Sequence, residues 1–164
     1  MNNIIIVIVT YILIISIVSS FLKGMSFSYF YLNTYEMLNK KWNSNIIKIL
    51  AFVFITLEFF IPLLTLLNLK LNLFSIIGMI GLYIIPTLLL ISSIIKGDKN
   101  TECGCFGVNF KVKITWNKVI QNLIYIVILV YSLFIPKDTI ELWNIILAII
   151  LSLLYFLIIK MKED

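Results

Sequence analysis

The sequence contains no histidine and no arginine, and it carries few charges of either sign. Without histidine there is no Ser-His-Asp or Cys-His nucleophile pair, no imidazole metal ligand and no histidine proton shuttle. Without arginine there is no bidentate fork for a phosphate or carboxylate group. Only 13% of the 164 residues are charged, against roughly a quarter in soluble domains. These shortages exclude a soluble-domain composition and leave sulfur as the main reactive chemistry.

Cysteine is also scarce, because Cys103 and Cys105 are the only two in the chain. A tetrahedral metal site normally takes four protein ligands, so Cys103-Gly104-Cys105 alone cannot form a structural zinc site, and we expect no metal. All 13 basic residues are lysines, and the net charge is +5. In so apolar a chain this charge is expected to set membrane orientation rather than to bind nucleic acid.

Apolar residues are abundant: 62% of the chain is hydrophobic and the mean hydropathy is +1.09. A helix needs about 20 apolar residues to cross a hydrocarbon core of roughly 30 Å. Five runs approach or exceed that length, at approximately 4–22, 46–69, 73–95, 114–135 and 140–159. The first run lacks a charged leader and an Ala-x-Ala-like cleavage site, so we expect a retained helix. We predict an all-α, multi-pass transmembrane helical bundle forming one membrane domain.

The lysines predict the orientation of this bundle. With five spans, one side of the membrane holds only Lys70 and Lys137, and the other side holds the remaining 11 of the 13 lysines. The positive-inside rule then places the N-terminus outside, and the C-terminus and the Cys-Gly-Cys loop on the cytoplasmic side of the cell membrane.

Two connecting segments have distinct patterns. Aromatic and apolar residues recur every three or four positions over approximately 27–42, which predicts a helix with one aromatic face. This helix lies either in the membrane interface or against the bundle from its aqueous side. Pro136-Lys137-Asp138-Thr139 separates the last two runs and predicts a tight turn between antiparallel helices.

The two cysteines lie in a polar loop flanked by four lysines: Lys96, Lys99, Lys111 and Lys113. Nearby positive charge favours the thiolate, which is the form that attacks disulfides. Gly104 and Gly107 give the backbone the freedom that a disulfide between residues two apart requires. We therefore predict a reactive dithiol; the alternative is that the cysteines are small buried hydrophobic residues.

Glu58 is an acidic residue within the second apolar run. It lies about 12 residues into that run, or roughly 18 Å deep at 1.5 Å per residue. A carboxyl group at that depth is usually protonated, paired or turned toward a polar cavity. Two interpretations stay open: a proton relay or polar wall for a redox site, or a contact between helices through Asn122, Gln121 or a tyrosine hydroxyl.

The stretch Cys103-Gly104-Cys105-Phe106-Gly107, preceded by Gly97 and followed by Trp116 and Asn122, resembles the MauE family of membrane proteins, which is related to DoxX. Glu58 in the second span matches the family's acidic second helix. The resemblance covers residues 1 to 135, and the pentapeptide is its one specific motif. It implies a bacterial protein with a four-helix DoxX-like core, to which this chain adds a fifth, C-terminal helix.

The resemblance also implies a role in disulfide formation or in the maturation of exported proteins, often beside a thioredoxin-like partner. Cys103 and Cys105 would be the redox pair. The supporting residues that we expect around the pair are Glu58, Asn122, Gly104, Phe106, Gly107 and Lys99.

Our leading hypothesis is a thiol-disulfide oxidoreductase, surrounded by membrane lipid, that acts on a substrate protein. Two cysteines cannot relay electrons through successive disulfides, so a quinone or a partner protein is needed to complete the circuit. The first alternative is a non-catalytic accessory, immunity or assembly subunit with a structural Cys-Gly-Cys loop. The second is a small-solute transporter that uses Glu58 and the proline kinks at Pro62 and Pro86.

Overall fold

The computed structural model describes residues 2–38, 43–97, 103–108, 110, 112–134 and 139–161. This part of the chain is 83% helical and has no β-strand. Its six helices are α1 Asn2–Met25, α2 Phe27–Met37, α3 Ser44–Leu67, α4 Leu73–Lys96, α5 Trp116–Ser132 and α6 Leu142–Met161. The prediction of an all-α bundle is confirmed.

Four helices, α1, α3, α4 and α6, are long and apolar enough to cross a membrane. They overlap the predicted runs 4–22, 46–69, 73–95 and 140–159, with ends that differ by up to three residues. The run 114–135 contains α5, which has 17 residues, or about 25 Å at 1.5 Å per residue. The helix begins two residues later than the predicted run. Residues 112–115 are non-helical, and the Val112 carbonyl accepts a hydrogen bond from the Cys103 N–H in the cysteine loop.

The five long helices run alternately up and down, with α1 at the centre against α2, α3, α5 and α6. One end of the bundle holds residues 103–108, and we call it the cysteine end. At the opposite end the Ile140 N–H donates to the Leu69 carbonyl over 2.9 Å, and Lys70 forms an isolated antiparallel bridge with Thr139. The predicted turn at 136–138 lies outside the described residues.

The main apolar core lies in the half of the bundle away from the cysteine end. Ile12, Leu13, Met79 and Leu129 are fully buried there between α1, α4 and α5. The outer helix faces are apolar as well, and Phe74 on α4 is 87% exposed. A helix that is apolar on all sides is stable where its outer face meets lipid. The chain is therefore a multi-pass membrane protein.

The short helix α2 follows α1 after Ser26 and leans on α3. The Phe27 ring lies 6.4 Å from the Phe52 ring, and the Phe30 ring lies 6.2 Å from the Phe54 ring. Its aromatic residues thus contact α3, as the periodicity over 27–42 indicates. Residues 39–42 of that segment lie outside the described residues.

Proline interrupts the backbone hydrogen bonds of α4 next to the cysteine loop. Pro86 has no N–H to donate, and a neighbouring threonine makes a further local contact: the Thr87 hydroxyl donates to the Tyr83 carbonyl over 2.6 Å. Proline is tolerated inside membrane helices. Gly97 ends α4 with a left-handed φ of 87°, which glycine adopts without strain.

Candidate functional site

Cys103 and Cys105 are joined by a disulfide, with their Cα atoms 5.1 Å apart. The loop that carries them is inserted into the bundle, since both cysteines border a cavity lined by Leu90 of α4, six residues before the end of that helix. Six residues of helix correspond to about 9 Å. Cys103 is buried at 6% exposure, whereas Cys105 is partly exposed.

Hydrogen bonds hold the inserted backbone. The Cys103 N–H donates to the Val112 carbonyl over 2.8 Å, and the Gly107 N–H donates to the Gly104 carbonyl over 3.2 Å. From α1, the Ser19 hydroxyl donates to the Cys105 carbonyl over 2.8 Å. Non-helical backbone at membrane depth is tolerated only where protein groups or a cavity surround it, and this loop meets that condition.

Both glycines of the motif sit where a larger residue would not fit. Gly104 and Gly107 have φ values of 64° and 68°, in the left-handed region. A Cβ atom on Gly107 would lie against the Ser26 hydroxyl and 2.6 Å from the Leu22 carbonyl oxygen; one on Gly104 would lie 2.9 Å from Asn33 Nδ2. The glycines therefore permit the loop to lie directly on the junction of α1 and α2.

Phe106 anchors the loop in an aromatic cluster. Its side chain is 2% exposed and its ring contacts those of Phe110, Tyr155 and Phe156 at centroid distances of 5.5 to 6.5 Å. The Lys118 ammonium lies 4.7 Å from the centre of the Phe106 ring. Such a cation–π contact is attractive, and it is stronger when the pair is shielded from water.

Glu58 forms an ion pair with Lys23 from the last turns of α1. The Lys23 ammonium donates to both carboxylate oxygens, over 2.8 and 2.7 Å. The two side chains are 6% and 13% exposed. The contact between helices that Glu58 makes is thus with Lys23. It is not the expected contact with Asn122, Gln121 or a tyrosine hydroxyl. A close, buried pair of this kind satisfies a charge that the membrane interior tolerates poorly.

A small cavity of about 40 Å³ joins these parts, and we call it the polar cavity. It is surrounded by α1, α3, α4 and α5 and by the cysteine loop, and its polar lining consists of Ser16, Ser19, Lys23, Glu58, Tyr83, Lys118, Asn122 and Tyr125. Cys105 and Phe106 close it on the loop side. The cavity places two lysines and one carboxylate beside the disulfide.

Two polar stripes supply most of this lining. On α1 they are Ser16, Ser19, Ser20 and Lys23, and on α5 they are Lys118, Gln121, Asn122 and Tyr125. Each set has the spacing i, i+3, i+4, i+7, which places all four side chains on one helical face. Such a face on an otherwise apolar helix turns toward protein rather than lipid.

The α5 stripe is hydrogen-bonded to α6. The Lys118 ammonium donates to Gln121 Oε1 over 3.1 Å and to the Tyr155 hydroxyl over 3.3 Å. The Gln121 amide donates to the hydroxyls of Tyr125 and Tyr155 over 2.7 and 3.0 Å. These contacts fix Lys118 beside Phe106 and the loop.

The structure brings together most of the residues that the sequence pointed to. Cys105, Glu58, Phe106 and Asn122 border the polar cavity, and Asn122 is 5% exposed. Lys99 lies outside the described residues. In the sequence, Lys118 was counted only among the lysines that set the orientation in the membrane. Tyr83, whose hydroxyl is hydrogen-bonded to Ser16 over 2.9 Å, was not identified at all. The i, i+3, i+4, i+7 spacing on α5 was the available signal for Lys118.

Fold and site together define a class: a small, multi-pass α-helical membrane protein with a disulfide loop inserted beside a buried, charged cavity. Residues 1–135 match the family described as "Methylamine utilisation protein MauE". The chain belongs to the MauE family, and the resemblance read from the Cys-Gly-Cys-Phe-Gly motif is confirmed. Neither the curated proteins nor the solved structures gave a match. The helix α6, with Tyr155 and Phe156, lies beyond the matched range.

Proposed function

We propose that this chain is a membrane thiol-disulfide oxidoreductase that accepts electrons from the dithiol of another protein and so assists disulfide formation in it. The observation that carries the proposal is the Cys103–Cys105 disulfide beside a cavity that holds Lys23 and Lys118. A disulfide stabilises a fold mainly by closing a long loop in the unfolded chain. This one encloses a single residue, so exchange chemistry explains it better than stability does.

The proposed exchange has two steps, and electrons and protons balance over them. A partner thiolate attacks Sγ of Cys105 and forms a mixed disulfide, while Cys103 leaves as a thiolate and takes up a proton. The second partner thiolate then attacks the mixed disulfide and expels the Cys105 thiolate, which is protonated in turn. The partner gains a disulfide, and two electrons and two protons reside on Cys103 and Cys105.

Burial and charge support Cys105 as the cysteine that forms the mixed disulfide. Cys105 is partly exposed and borders the polar cavity. Cys103 is buried in an apolar cluster with Leu90 and Ile94. A thiolate near positive charge is the better leaving group in the second step. Cys105 shares the polar cavity with both Lys23 and Lys118, whereas Lys23 is the one described lysine that shares a cavity lining with Cys103.

The partner in this scheme is a thioredoxin-like protein or the substrate protein itself, and lipid covers the outer helices. We also propose the orientation that the lysine count predicts, with the N-terminus outside. In support, six of the seven described lysines lie toward the cysteine end of the bundle: Lys23, Lys48, Lys96, Lys113, Lys118 and Lys160. The seventh, Lys70, lies at the other end.

The transporter hypothesis has less support. Glu58 is paired with Lys23 rather than open to a solute. A cavity of about 40 Å³ has room for only a few water molecules.

The experiment uses a single-cysteine thioredoxin-like protein activated as its thionitrobenzoate disulfide, which releases a coloured thiol when attacked. Purified Cys103→Ser protein should form a covalent, reducible adduct at least about tenfold faster than Cys105→Ser protein, because Cys105 is partly exposed and the nearby lysines stabilise its thiolate. The Cys103→Ser/Cys105→Ser protein is the control and should form none. If both single variants stay unreactive while folded, exchange is wrong and the accessory role is favoured. Faster reaction of Cys105→Ser would overturn the assignment to Cys105.

A further inference from the structure

A second cavity, of about 470 Å³, lies between α2, α3 and α4 and reaches the cysteine loop. We call it the apolar cavity, because Lys23 and Thr34 are its main polar residues and aliphatic and aromatic side chains form the rest of its lining. Both Cys103 and Cys105 line it. Its volume lies in the range of small-molecule binding sites, roughly 300 to 1,000 Å³.

The mouth of the apolar cavity faces the lipid. Leu50, Val53 and Leu57 of α3 and Ile85 of α4 line it and are 45 to 55% exposed. Both helices are candidate membrane spans, and these residues lie within them rather than at their ends. A molecule that enters here therefore arrives from the bilayer and must itself be soluble in lipid.

Lys23 and Cys105 line both cavities and so stand between them. The Lys23 ammonium lies 5.3 Å from the centres of the Phe30 and Phe54 rings and is hydrogen-bonded to Glu58. The apolar cavity thus offers aromatic side chains for a flat ring and one cationic donor. That donor complements the negative charge that a carbonyl oxygen gains when it is reduced.

We propose that the apolar cavity binds a lipid-soluble quinone, which reoxidises the Cys103–Cys105 pair. This inference rests on the proposed function, because exchange with a partner leaves two electrons on the pair. The two S–H bonds break and an S–S bond forms, while the two quinone carbonyl oxygens become hydroxyls. Two electrons and two protons pass from the dithiol to the quinone, so the step balances without a further reactant.

The test uses purified full-length protein reduced with a dithiol, freed of reductant, and mixed with a short-chain benzoquinone. Quinol should form in a ratio of one per two thiols lost. Leu50→Trp narrows the mouth and should slow quinol formation at least about tenfold. Leu64→Trp is the matched control, since Leu64 is on the same helix, is 54% exposed against 55% for Leu50, and is outside the cavity lining. It should retain the wild-type rate.

Photolabelling of the wild-type protein gives a second measurement that needs no variant. A photoreactive benzoquinone should label residues of the apolar cavity, and excess unlabelled quinone should suppress that labelling. Labelling spread evenly over lipid-facing residues, or equal quinol rates in the two tryptophan variants, would mean that the cavity holds only lipid chains and would overturn the inference. If the protein exchanges with its partner but leaves quinone unreduced, the quinone inference is wrong and the proposed exchange function is unaffected. If it binds quinone in the cavity but forms no adduct with the thioredoxin-like protein, the proposed function is wrong.

Discussion

At the residue scale, the candidate site depends on a few polar groups that lie inside an otherwise apolar protein. Lys23 is buried, Glu58 is largely buried, and the two are close and doubly hydrogen-bonded. The sequence marked Glu58, because a carboxyl group within an apolar run is conspicuous. It did not mark the pairing, because the partners are 35 residues apart on different helices. Only the packing of α1 against α3 brings them together.

Removing one member of this pair should destabilise the protein strongly. Lys23→Met leaves a buried carboxylate without its partner, and we expect a loss of about 3 to 5 kcal/mol in the free energy of unfolding. The double variant Lys23→Met/Glu58→Leu should lose less unfolding free energy than Lys23→Met alone, because it leaves no unpaired charge buried. Denaturant unfolding in detergent measures both values.

Lys48→Met is the control for that series, because Lys48 is an exposed lysine on α3. Its unfolding free energy should stay within about 0.5 kcal/mol of the wild type. Glu58→Leu alone completes the series, and a double variant whose loss equals the sum of the losses of Lys23→Met and Glu58→Leu would contradict a coupled ion pair.

At the scale of the element, long apolar runs predicted where α1, α3, α4 and α6 lie, because a membrane demands continuous apolar length. The start of α5 was not predicted. The predicted run begins two residues before Trp116, at Ile114, but Ile114 and Thr115 stay outside the helix, and the nearby Val112 carbonyl accepts a hydrogen bond from the Cys103 N–H. The insertion of the loop into the bundle was not predicted either, because its polar sequence is typical of a loop in water. The residues that hold it, Ser19 on α1 and Ser26 just after α1, are distant from it in the sequence.

The cysteine loop should tolerate no side chain at Gly107. Gly107→Ala puts a Cβ atom near the Leu22 carbonyl oxygen at a φ of 68°. We expect a loss of about 1 to 3 kcal/mol in stability from the strained backbone and slower adduct formation at the displaced Cys105. Gly81→Ala is the control, because its Cβ atom would meet open space within α4. If Gly107→Ala matched Gly81→Ala in both measurements, the packing of the loop on α1 would be wrong.

At the scale of the whole molecule, alternating helix directions gather the chemistry at one end of the bundle. The family match ends before α6, yet Tyr155 contacts Lys118, and Tyr155 and Phe156 contact Phe106. The sequence could predict five apolar segments and a pair of candidate cysteines, but not that the last helix would contact the residues beside them. Helix packing partners depend on side-chain fit between distant segments, which a single sequence does not display.

The orientation of the bundle is tested with two exposed lysines at opposite ends, Lys70 and Lys160. Lys70→Cys and Lys160→Cys are made separately in the Cys103→Ser/Cys105→Ser background and treated with a membrane-impermeant maleimide. Lys70→Cys should be labelled in intact cells, and Lys160→Cys only in inverted vesicles, since lysine-rich ends stay inside. The reverse pattern would place the cysteine end outside.

The central claim is that the Cys103–Cys105 disulfide exchanges with the dithiol of another protein. The most direct measurement is to incubate the folded wild-type protein with a reduced thioredoxin-like protein, quench with acid, alkylate, and weigh both intact chains. We expect two alkyl groups on this chain for each partner molecule that becomes oxidised. A chain that gains no alkyl group while the partner stays fully reduced, and that gains two only after unfolding in reductant, would contradict it.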